Sequence, residues 1–551
     1  LAINMVYAGI KLFSGICYRS VWFITLAVYY ISLAVMRFSL LHYVRKRNDD
    51  KISELRRYRL CGVVLLIMNN ALIGIIILAI TENSGFEYPR HKITVNLAPA
   101  YVKKSGSHFD LGIAVGLLKA SGALKGKTDD TIFIGELSFD GKVLPARGVL
   151  PMITAVSAVL GIAGAKEIVI PEANCPEAYL FTADTGMEII PAVSLMQIVQ
   201  HISGKKTRPY EGDRKQHQGA ARQQEEGSIQ EDFKDIKGCL IGKEAIMAAL
   251  AGGHNMLMIG PPGSGKTMMA KCGAGILPPM SLKEKIQTTS IYSYAGKLQE
   301  NMPFIENRPF RHVGPGISRS ALIGGGTTPM PGEISLAHNG VLFLDEMLQI
   351  PSNILEAMRE PMEEKEICIS RGRNRVVFPA DFVMIGASNP CPCGYLGDRS
   401  RQCTCSPGQI ARYRAKLSGA MADRIDICVE ITRIGYGSLK DTGGLSSEQM
   451  KKTVTDVRYM QMEKRGMLNG QMKPADIEKY CILTEEAEKL LKRIYEYEGI
   501  SIRRYHKLLK VARTIADIRG EQKIGAGHLT AAHQYVRLLE QKTWGNNYAH
   551  P

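Results

Sequence analysis

The sequence predicts an α/β fold in which a parallel sheet is covered by helices, followed by a helical C-terminal domain. Three observations support this prediction. Strand-like and helical segments alternate from Ile93 to about Tyr436, the order typical of parallel strands joined by helical crossovers. A glycine-rich loop follows one apolar strand directly, before a helical segment. After Tyr436 the strand-like segments stop, and only helical periodicity remains.

Composition narrows the environment and the partners. The chain has 551 residues, enough for several domains, and a formal net charge of +16. This charge suits a polyanionic partner, either nucleic acid or an anionic membrane surface. The 12 cysteines are scattered apart from one cluster, and no cleavable secretory signal is seen. We therefore expect a reducing cytoplasmic environment for the soluble part of the chain.

The first 78 residues are predicted to contain two transmembrane helices. Residues 21–40 are apolar apart from Arg37, and residues 61–80 contain no charged side chain. Each run has the length of about 20 residues that a helix needs to cross a bilayer. The basic segment 42–59 between them would be held in the cytoplasm, so the chain after residue 80 would emerge on the other side. A buried soluble helix is the alternative for residues 61–80.

Residues 79–204 are predicted to form a small α/β domain. LGIAVGLLKASGAL, residues 111–124, has helical periodicity. TIFIGELSFDGKVL, residues 131–144, is typical of a strand pair that turns at Asp140 and Gly141. KEIVIPEAN then predicts a further buried strand.

A polar segment at 205–230 is predicted to be a flexible linker, because it lacks apolar periodicity. Residues 231–435 follow as the sheet-containing core, with strands predicted in NMLMIG, VLFLDE and FVMIGASN. Residues 436–551 are predicted to be helical. Within them Thr484 precedes an acidic first turn, which is typical of a helix N-cap.

The segment GPPGSGKT, residues 260–267, fits the pattern G-x-x-x-x-G-K-[ST] between a strand and a helix. Its glycines let backbone N–H groups turn onto phosphate oxygens at a helix N-terminus. Lys266 would reach the β- and γ-phosphates, and Thr267 would hold Mg²⁺. The motif therefore predicts ATP and Mg²⁺ as cofactors. The predicted nucleotide-binding residues are Gly260, Pro261, Pro262, Gly263, Ser264, Gly265, Lys266, Thr267 and Asp345.

Two acids end the apolar strand VLFLDE about eighty residues later. Asp345 would bind Mg²⁺, mostly through water, and Glu346 would polarise the attacking water. Asn389 ends the next predicted strand and is placed to orient the same water. The alternatives are an ordinary solvated strand end for the two acids and a structural role for Asn389.

Four thiols lie within fifteen residues, at Cys391, Cys393, Cys403 and Cys405. They are sufficient for a tetrahedral Zn²⁺ site, although the C-x-C spacing is tighter than the common C-x₂-C. Reduced free thiols are the alternative. A catalytic metal is not expected, because four thiolates leave no open coordination position.

Five segments are distinctive: ITVNLAPAYVKKSGSHFDLGIAVGLLKASGAL, GELSFDGKVLPARGVLP, AGGHNMLMIGPPGSGKT, GEISLAHNGVLFLDE and NPCPCGYLGD. From about residue 79 onward they resemble the YifB/ComM family of magnesium-chelatase-like AAA+ ATPases. The resemblance implies a Lon-protease-like domain, an AAA+ core and a helical lid, assembled as a homo-oligomeric ring, with a hexamer expected. ATP would lie between subunits, with Arg424 resembling the finger that reaches a neighbour's γ-phosphate and Arg503 the sensor arginine of the lid. Competence-type members act as DNA helicases in branch migration, so DNA is the expected partner.

The Lon-like resemblance does not extend to proteolysis. A Lon protease needs a Ser-Lys dyad, and the matching positions here hold His108 and Leu150. Neither an activatable nucleophile nor its base is present at these positions. We therefore predict a scaffold or recognition module at this place in the chain.

The segment EICISRGRNRVVF, residues 366–378, has strand-like flanks around a tip with Arg371, Arg373 and Arg375. In related ring ATPases a hairpin before the sensor strand projects into the pore. Spaced arginines there could follow phosphates without reading sequence. A solvent-exposed hairpin without a nucleic-acid role is the alternative.

Two departures from the family pattern are visible. Gly314 and Pro315 stand where family members usually have paired histidines, which puts any role of those histidines in the ring in doubt. The first half of the Lon-like domain is replaced by residues 1–78, so that domain is expected to be truncated. The predicted membrane orientation would also place an ATPase outside the cell. We hypothesise that the reading frame is a chimera joined near ENSGFEYP.

The sequence thus predicts a cytoplasmic ATP-hydrolysing motor acting on single-stranded or branched DNA, with membrane association only if the segment 21–80 is genuine. One alternative is the ATPase subunit of a metal chelatase, which would need a partner with an integrin-like domain. A second alternative is a membrane-anchored scaffold whose ATP site gates assembly. Retention of Glu346, Asn389 and Arg424 disfavours this scaffold, because a switch without hydrolysis has little need of them.

Overall fold

A computed structural model describes residues 107–160, 165–212, 231–298, 303–326, 328–371, 374–398, 401–433 and 444–537, together with Ile31, residues 83–86 and Val95. The chain divides into two compact units, one within residues 1–212 and the other within residues 213–551. Within the described parts of the chain, no helix has both the length and the apolar character needed to span a bilayer. Apart from Ile31, the two predicted transmembrane segments lie outside the described residues.

The N-terminal unit, as described for residues 107–212, is built on a three-stranded parallel sheet. Its elements are α1 (Asp110–Ala120), β1 (Thr131–Phe133), β2 (Glu136–Leu137), β3 (Val143–Leu144), α2 (Val149–Leu160), β4 (Glu167–Pro171), α3 (Cys175–Thr185), β5 (Glu188–Ala192) and α4 (Leu195–Ile202). The sheet order is β1-β4-β5, and β2 pairs with β3 in an antiparallel hairpin. Gly141 adopts φ +77° at the turn of this hairpin, which confirms the predicted strand pair.

The central strand β4 is buried on both faces, as expected for a parallel sheet covered by helices. Val169 packs in one hydrophobic cluster with Ile190, whereas Ile168 and Ile170 pack in a second cluster on the other face. This alternation follows from the two-residue period of a strand. The predicted buried strand in KEIVIPEAN is therefore confirmed.

The C-terminal unit, as described for residues 231–537, contains the glycine-rich loop. Its first elements are α5 (Leu240–Gly252), β6 (Met256–Ile259), α6 (Lys266–Gly275), α7 (Leu282–Ala295), β7 (Phe310–Val313), α8 (Arg319–Ile323), β8 (Gly324–Gly325), β9 (Met330–Pro331), α9 (Glu333–Leu336), β10 (Val341–Leu344), α10 (Ser352–Glu356) and α11 (Arg359–Glu364). They continue with β11 (Glu366–Arg371), β12 (Asn374–Pro379), β13 (Val383–Ser388), α12 (Pro407–Arg414), α13 (Gly419–Ala422), β14 (Ile427–Glu430), α14 (Ser447–Arg465), α15 (Pro474–Tyr480), α16 (Glu485–Glu498), α17 (Ile502–Ile518) and α18 (Ala526–Arg537).

Five of these strands form one parallel sheet in the order β14-β6-β13-β10-β7. Numbered along the chain, this is the order 5-1-4-3-2. The strand order places the carboxyl ends of β6, β13 and β10 side by side at one edge of the sheet. The parallel α/β core predicted from NMLMIG, VLFLDE and FVMIGASN is therefore confirmed, and it fits the P-loop core of an AAA+ ATPase.

Both faces of this sheet are buried. Met256 and Met258 face a hydrophobic cluster that also contains residues of the C-terminal helices, whereas Leu257 and Ile259 face a second cluster. The helices after β14 therefore share a hydrophobic core with the sheet. The sequence predicts a domain boundary after residue 435. The last strand of the sheet ends shortly before that position, and one hydrophobic core continues from the sheet into the C-terminal helices.

The described residues after 444 form helices, with one isolated bridge between Leu483 and Ile524. The Thr484 hydroxyl accepts a hydrogen bond from the Ala487 N–H at 3.3 Å, so the predicted N-cap is confirmed. Helices α14 and α17 are tied by a buried carboxylate. Asp517 accepts hydrogen bonds from Arg465 at 2.9 Å and from Arg513 at 3.0 Å.

Candidate nucleotide-binding site

The glycine-rich loop connects β6 to α6 at the carboxyl edge of the sheet. Gly263 and Gly265 adopt φ +75° and +83°, a left-handed conformation that side chains disfavour. Gly260 is required for a different reason, because a Cβ there would lie 2.2 Å from the Ile431 carbonyl oxygen. The loop thus brings backbone N–H groups to the start of α6, where anions bind favourably.

An open pocket of about 450 Å³ lies over this loop. It is lined by residues 262–268, the two acids that follow β10, and the end of β13. Asp345, Glu346 and Asn389 are among the lining residues. The structure therefore brings together around one pocket the lysine, the acids and the asparagine that the sequence predicted.

Lys266 lies at the base of this pocket. Its Nζ donates to the carbonyl oxygens of Gly260 at 2.7 Å and Pro261 at 2.8 Å, and it lies 3.4 Å from Asn389 Oδ1. Burial lowers the pKa of the Lys266 ammonium group to about 8, although nearby carboxylates oppose this effect. Phosphate oxygens at the loop would favour the charged form of this lysine, because an opposite charge raises the pKa of a basic group.

Asp345 is held by contacts to both of its carboxylate oxygens. Oδ1 accepts a hydrogen bond from the Glu346 N–H at 3.0 Å, and Oδ2 accepts one from Thr267 Oγ1 at 3.3 Å. His312 Nε2 lies 3.4 Å from the same Oδ2. A hydroxyl and a carboxylate at this separation are hard oxygen ligands of the kind that Mg²⁺ takes beside a nucleotide.

His312 is a residue near the site that the sequence reasoning did not identify. It lies on β7 directly beside Phe343 of β10, and the two ring centroids are 5.2 Å apart. The motif patterns gave no signal for it. Only the pairing of β7 with β10 brings it near Asp345.

Glu346 has a left-handed backbone with φ +48°, which is uncommon for a residue other than glycine. Two residues later, the Leu348 N–H donates to the Ser388 hydroxyl at 3.0 Å. This bond ties the segment after β10 to the end of β13, where Asn389 follows. Strained backbone that the surroundings hold in place is common at functional sites.

Arg424 is remote from the pocket of its own subunit. The Asn255 side chain, which precedes β6, donates to the Arg424 carbonyl oxygen at 3.0 Å, whereas the phosphate loop follows β6. The four residues of β6 separate the two edges of the sheet by roughly 10 Å. The Arg424 guanidinium donates to the Ala420 carbonyl oxygen at 2.6 Å and pairs with Glu363.

Arg503 lies on the same side of the sheet as Arg424. Its guanidinium donates to Asp423 Oδ2 at 3.0 Å, and its side chain is 75 % exposed. The Lys507 ammonium group, one turn later in α17, donates to the Ala422 and Ile425 carbonyl oxygens at 3.0 and 2.8 Å. The structure therefore places both predicted arginines at the amino edge of the sheet, opposite the phosphate loop.

The four cysteines of the sequence motif converge. Their sulfur atoms all lie within 4.8 Å of one another. Three of the separations are 3.4 Å for Cys391 to Cys393, 3.6 Å for Cys391 to Cys403 and 3.5 Å for Cys393 to Cys403. A tetrahedral site with Zn–S bonds of about 2.3 Å would have sulfur atoms about 3.8 Å apart. The cluster therefore has the donor set and nearly the spacing of a structural zinc site.

The cysteine cluster lies against the phosphate loop. Cys391 follows Asn389 by two residues, and the Cys393 N–H donates to Cys405 Sγ at 3.3 Å. At Gly394, with φ +87°, an added Cβ would lie 2.8 Å from Pro262 Cδ. The fold of the cysteine loop is therefore coupled by direct packing to the nucleotide site.

The arginine-bearing segment forms the predicted hairpin. Strands β11 and β12 are antiparallel, with Glu366 opposite Pro379 and Arg371 opposite Asn374. Arg375 is exposed, and its Nε lies 2.9 Å from Cys368 Sγ. Arg373 lies outside the described residues. The hairpin itself is confirmed, whereas the role of its arginines stays a prediction.

In the N-terminal unit, the two positions aligned with the Ser-Lys dyad of a protease hold side chains that cannot perform its chemistry. His108 Nδ1 lies 3.6 Å from Glu136 Oε1, and Leu150 is fully buried in α2. A buried leucine can neither bind nor move a proton at this position. A scaffold or recognition role for this unit stays a prediction.

Comparison with protein families gives three matches along the chain. Residues 232–439 match the model of magnesium chelatase subunit ChlI, and residues 444–536 match the model of its C-terminal region. Residues 75–174 match the model described as subunit ChlI of Mg-chelatase. The first two matches cover most of the described C-terminal unit.

Individual relatives give a consistent result. The chain is 40 % identical over 466 residues to the competence protein ComM of Haemophilus influenzae, covering 83 % of this chain and 89 % of ComM. It is 39 % identical over 461 residues to the uncharacterized protein YifB of Salmonella typhimurium, covering 82 % and 86 % of the two chains. Similarity to the magnesium-chelatase 67 kDa subunit of Chlorobaculum parvum is lower, at 26 % over 163 residues, with 29 % and 23 % of the chains covered.

Proposed function

This chain belongs to the YifB/ComM family of magnesium-chelatase-like ATPases, and on that basis we propose that it hydrolyses ATP as a ring-shaped motor acting on DNA. The convergence of Lys266, Thr267, Asp345, Glu346 and Asn389 around one pocket carries the proposal. A lysine, a hydroxyl with a carboxylate, a general base and an amide are the groups that phosphoryl transfer to water requires. Because ATP is supplied in the cytoplasm, we propose that the reaction takes place there.

The residues divide the chemistry among them. Mg²⁺, when bound with ATP, would neutralise charge on the phosphate oxygens. Thr267 and Asp345 would hold this ion, and the backbone N–H groups of the loop together with Lys266 would hold the phosphates. Glu346 would accept the proton of the attacking water, and Asn389 would orient that water.

The placement of Arg424 supports assembly into a ring. Among the residues that line the nucleotide pocket, Lys266 supplies the positive charge, and both Arg424 and Arg503 lie at the opposite edge of the sheet. We infer from this placement that neither arginine serves the nucleotide of its own subunit. In a head-to-tail ring, the arginine edge of one subunit would face the nucleotide edge of the next. We expect a hexamer, with Arg424 and Arg503 acting on a neighbour's ATP.

Contact with DNA is assigned to the β11–β12 hairpin. Replacing Arg371, Arg373 and Arg375 with glutamate is expected to abolish stimulation of ATP hydrolysis by single-stranded DNA. Loss of three phosphate contacts should also reduce the slope of log K against log salt by roughly 2 for single strands. ATPase rates with and without oligonucleotide, and binding titrations at several salt concentrations, measure both effects.

A matched control keeps the same change of charge on another surface. Lys489, Lys492 and Arg493 are exposed on α16, and their replacement with glutamate should leave the stimulation ratio at the wild-type value. Equal loss of stimulation in both triple variants would show that net charge matters and that the hairpin has no special role.

We assign structural Zn²⁺ to Cys391, Cys393, Cys403 and Cys405, because their sulfur atoms already cluster. Purified protein is expected to contain one zinc per chain, and Cys391→Ser should reduce the metal content to trace levels with a lower thermal midpoint. Elemental analysis and a melting curve measure these effects. Cys368→Ser, outside the cluster, serves as the control. A metal-free protein with an unchanged melting curve would reject the zinc site.

A further inference from the structure

A second pocket, of about 650 Å³, lies beside the cysteine cluster. Its walls come from α12 and the turn that follows it, the cysteine loop and the segment after β10. Its lining includes Gln349, Thr404, Cys405, Arg412, Tyr413 and Lys416. None of these residues has been given a role in ATP binding or hydrolysis.

The pocket has a cationic rim. Arg412 and Lys416 are four residues apart, so they lie on the same side of α12 and its extension. Among the described residues, neither side chain forms an ion pair, and no aspartate or glutamate lines the pocket. Two cations without a carboxylate partner at a concave surface favour an anionic ligand, although the neighbouring thiolates of Cys393 and Cys405 offset part of their charge.

The side chains at the pocket favour a phosphate backbone over a base. Arginine, lysine, threonine and glutamine are the residues that position proteins on phosphates and sugars. Tyr413 is the aromatic residue in the lining, and it is only 7 % exposed, so its ring cannot stack on a nucleotide base. The pocket therefore suits contact with a sugar-phosphate chain without recognition of sequence.

Tyr413 connects this pocket to the hydrolysis site. Its ring packs in the cluster that contains Leu344 and Met347, and its hydroxyl contacts the Ser388 side chain and the Asn389 backbone. Burial raises the pKa of the Tyr413 hydroxyl to about 12, although its contacts with Ser388 and Asn389 oppose this effect. Ser388 in turn accepts the Leu348 N–H at 3.0 Å, and Gln349 is the next residue along the pocket wall.

We propose that this pocket binds the phosphate backbone of single-stranded nucleic acid and that Tyr413 transmits its occupancy to Asn389 and Glu346. The proposal rests on the proposed DNA-dependent ATPase activity and assigns it a second contact, separate from the β11–β12 hairpin. A phosphate bound by Arg412 and Lys416 would shift α12, and Tyr413 would transmit this shift to the end of β13. Bound strand would thereby adjust the residues that act on water.

The test uses the whole protein and a poly-dT oligonucleotide. The double variant Arg412→Ala, Lys416→Ala is expected to reduce the slope of log K against log salt by about 1.4, the value for two lost single-strand phosphate contacts. The ratio of ATPase rates with and without oligonucleotide should fall to near one. Lys451→Ala, Lys452→Ala on α14 removes the same charge from another exposed surface and should retain the wild-type slope and ratio.

Tyr413→Phe separates binding from transmission. This variant is expected to bind the oligonucleotide as tightly as the wild type and to lose most of the stimulation. An unchanged slope and ratio in the Arg412, Lys416 variant would overturn the pocket assignment. Full stimulation in Tyr413→Phe would overturn the assigned path.

Zinc content distinguishes the remaining outcomes. If the two cations served only to balance the thiolates, the Arg412, Lys416 variant would lose zinc, and that result would also overturn the proposal. If wild-type protein showed no stimulation by any oligonucleotide, the proposed action on DNA would fail, and this inference would fail with it. If DNA stimulated the wild type and the Arg412, Lys416 variant to the same extent, this inference alone would be rejected.

Discussion

Replacement of Glu346 by glutamine is expected to lower kcat for ATP hydrolysis by about 10³-fold, the range that a positioned general base contributes. Glutamine preserves the size of the side chain and removes its ability to accept a proton. Glu346 follows Asp345, whose contacts with Thr267 and the Glu346 N–H do not depend on the Glu346 carboxylate. Nucleotide affinity should therefore stay within about twofold of the wild type, since the lost interaction belongs to the transition state.

Two measurements check this expectation. Steady-state ATPase assays give kcat, and titration with a fluorescent ATP analogue gives affinity for nucleotide. Glu364→Gln, an exposed glutamate of α11, provides a control with the same chemical change. Wild-type turnover in Glu346→Gln would exclude this residue as the base and would require another group near Asn389.

Arg424→Ala is expected to lower kcat by at least about 10³-fold, as loss of an arginine finger does in other phosphoryl-transfer sites. Arg424 would stabilise the charge of the transition state. Among the residues that line the pocket of each subunit, Lys266 is the cation, so a second cation would have to come from elsewhere. Arg424 lies beside the start of β6, at the edge of the sheet opposite the phosphate loop. We therefore expect Arg424 to act on the nucleotide of the neighbouring subunit. Arg359→Ala, at an exposed position on α11, is the matched control.

Mixing of two inactive variants tests this arrangement. In rings assembled from equal amounts of Arg424→Ala and Glu346→Gln subunits, about a quarter of the interfaces would combine an intact Glu346 with an intact Arg424 from the neighbour, if assembly is head to tail and random. ATPase activity should then rise well above that of either variant alone. Activity equal to the mean of the two variants would show that Arg424 acts within its own subunit.

Much of the nucleotide site was predictable because parallel strands place their carboxyl ends at one edge. Asp345, Glu346 and Asn389 each follow an apolar strand, and the glycine-rich loop follows another. Once the strands are parallel neighbours, these residues must converge. The zinc-type cluster was predictable for a similar reason, since short spacing keeps four thiols close whatever the surrounding fold.

Other parts of the site depend on pairing between distant segments. The position of Arg424 follows from the alignment of β14 with β6, in which Ile427 lies opposite Met256. Neither motif spacing nor periodicity carries that register. His312 and Tyr413 reach the site through β7 and α12, and the residues around them form no local pattern. The second pocket is assembled from three separate segments, so it could only be found in the folded chain.

Action on DNA is tested by the steady-state ATPase activity of the purified protein with and without single-stranded and four-way-junction DNA, measured beside Glu346→Gln. We expect hydrolysis that DNA stimulates strongly and that the variant lacks. Hydrolysis that is indifferent to every DNA would contradict this expectation. That result would favour the alternative function of an ATPase subunit in a metal chelatase or protein-remodelling complex.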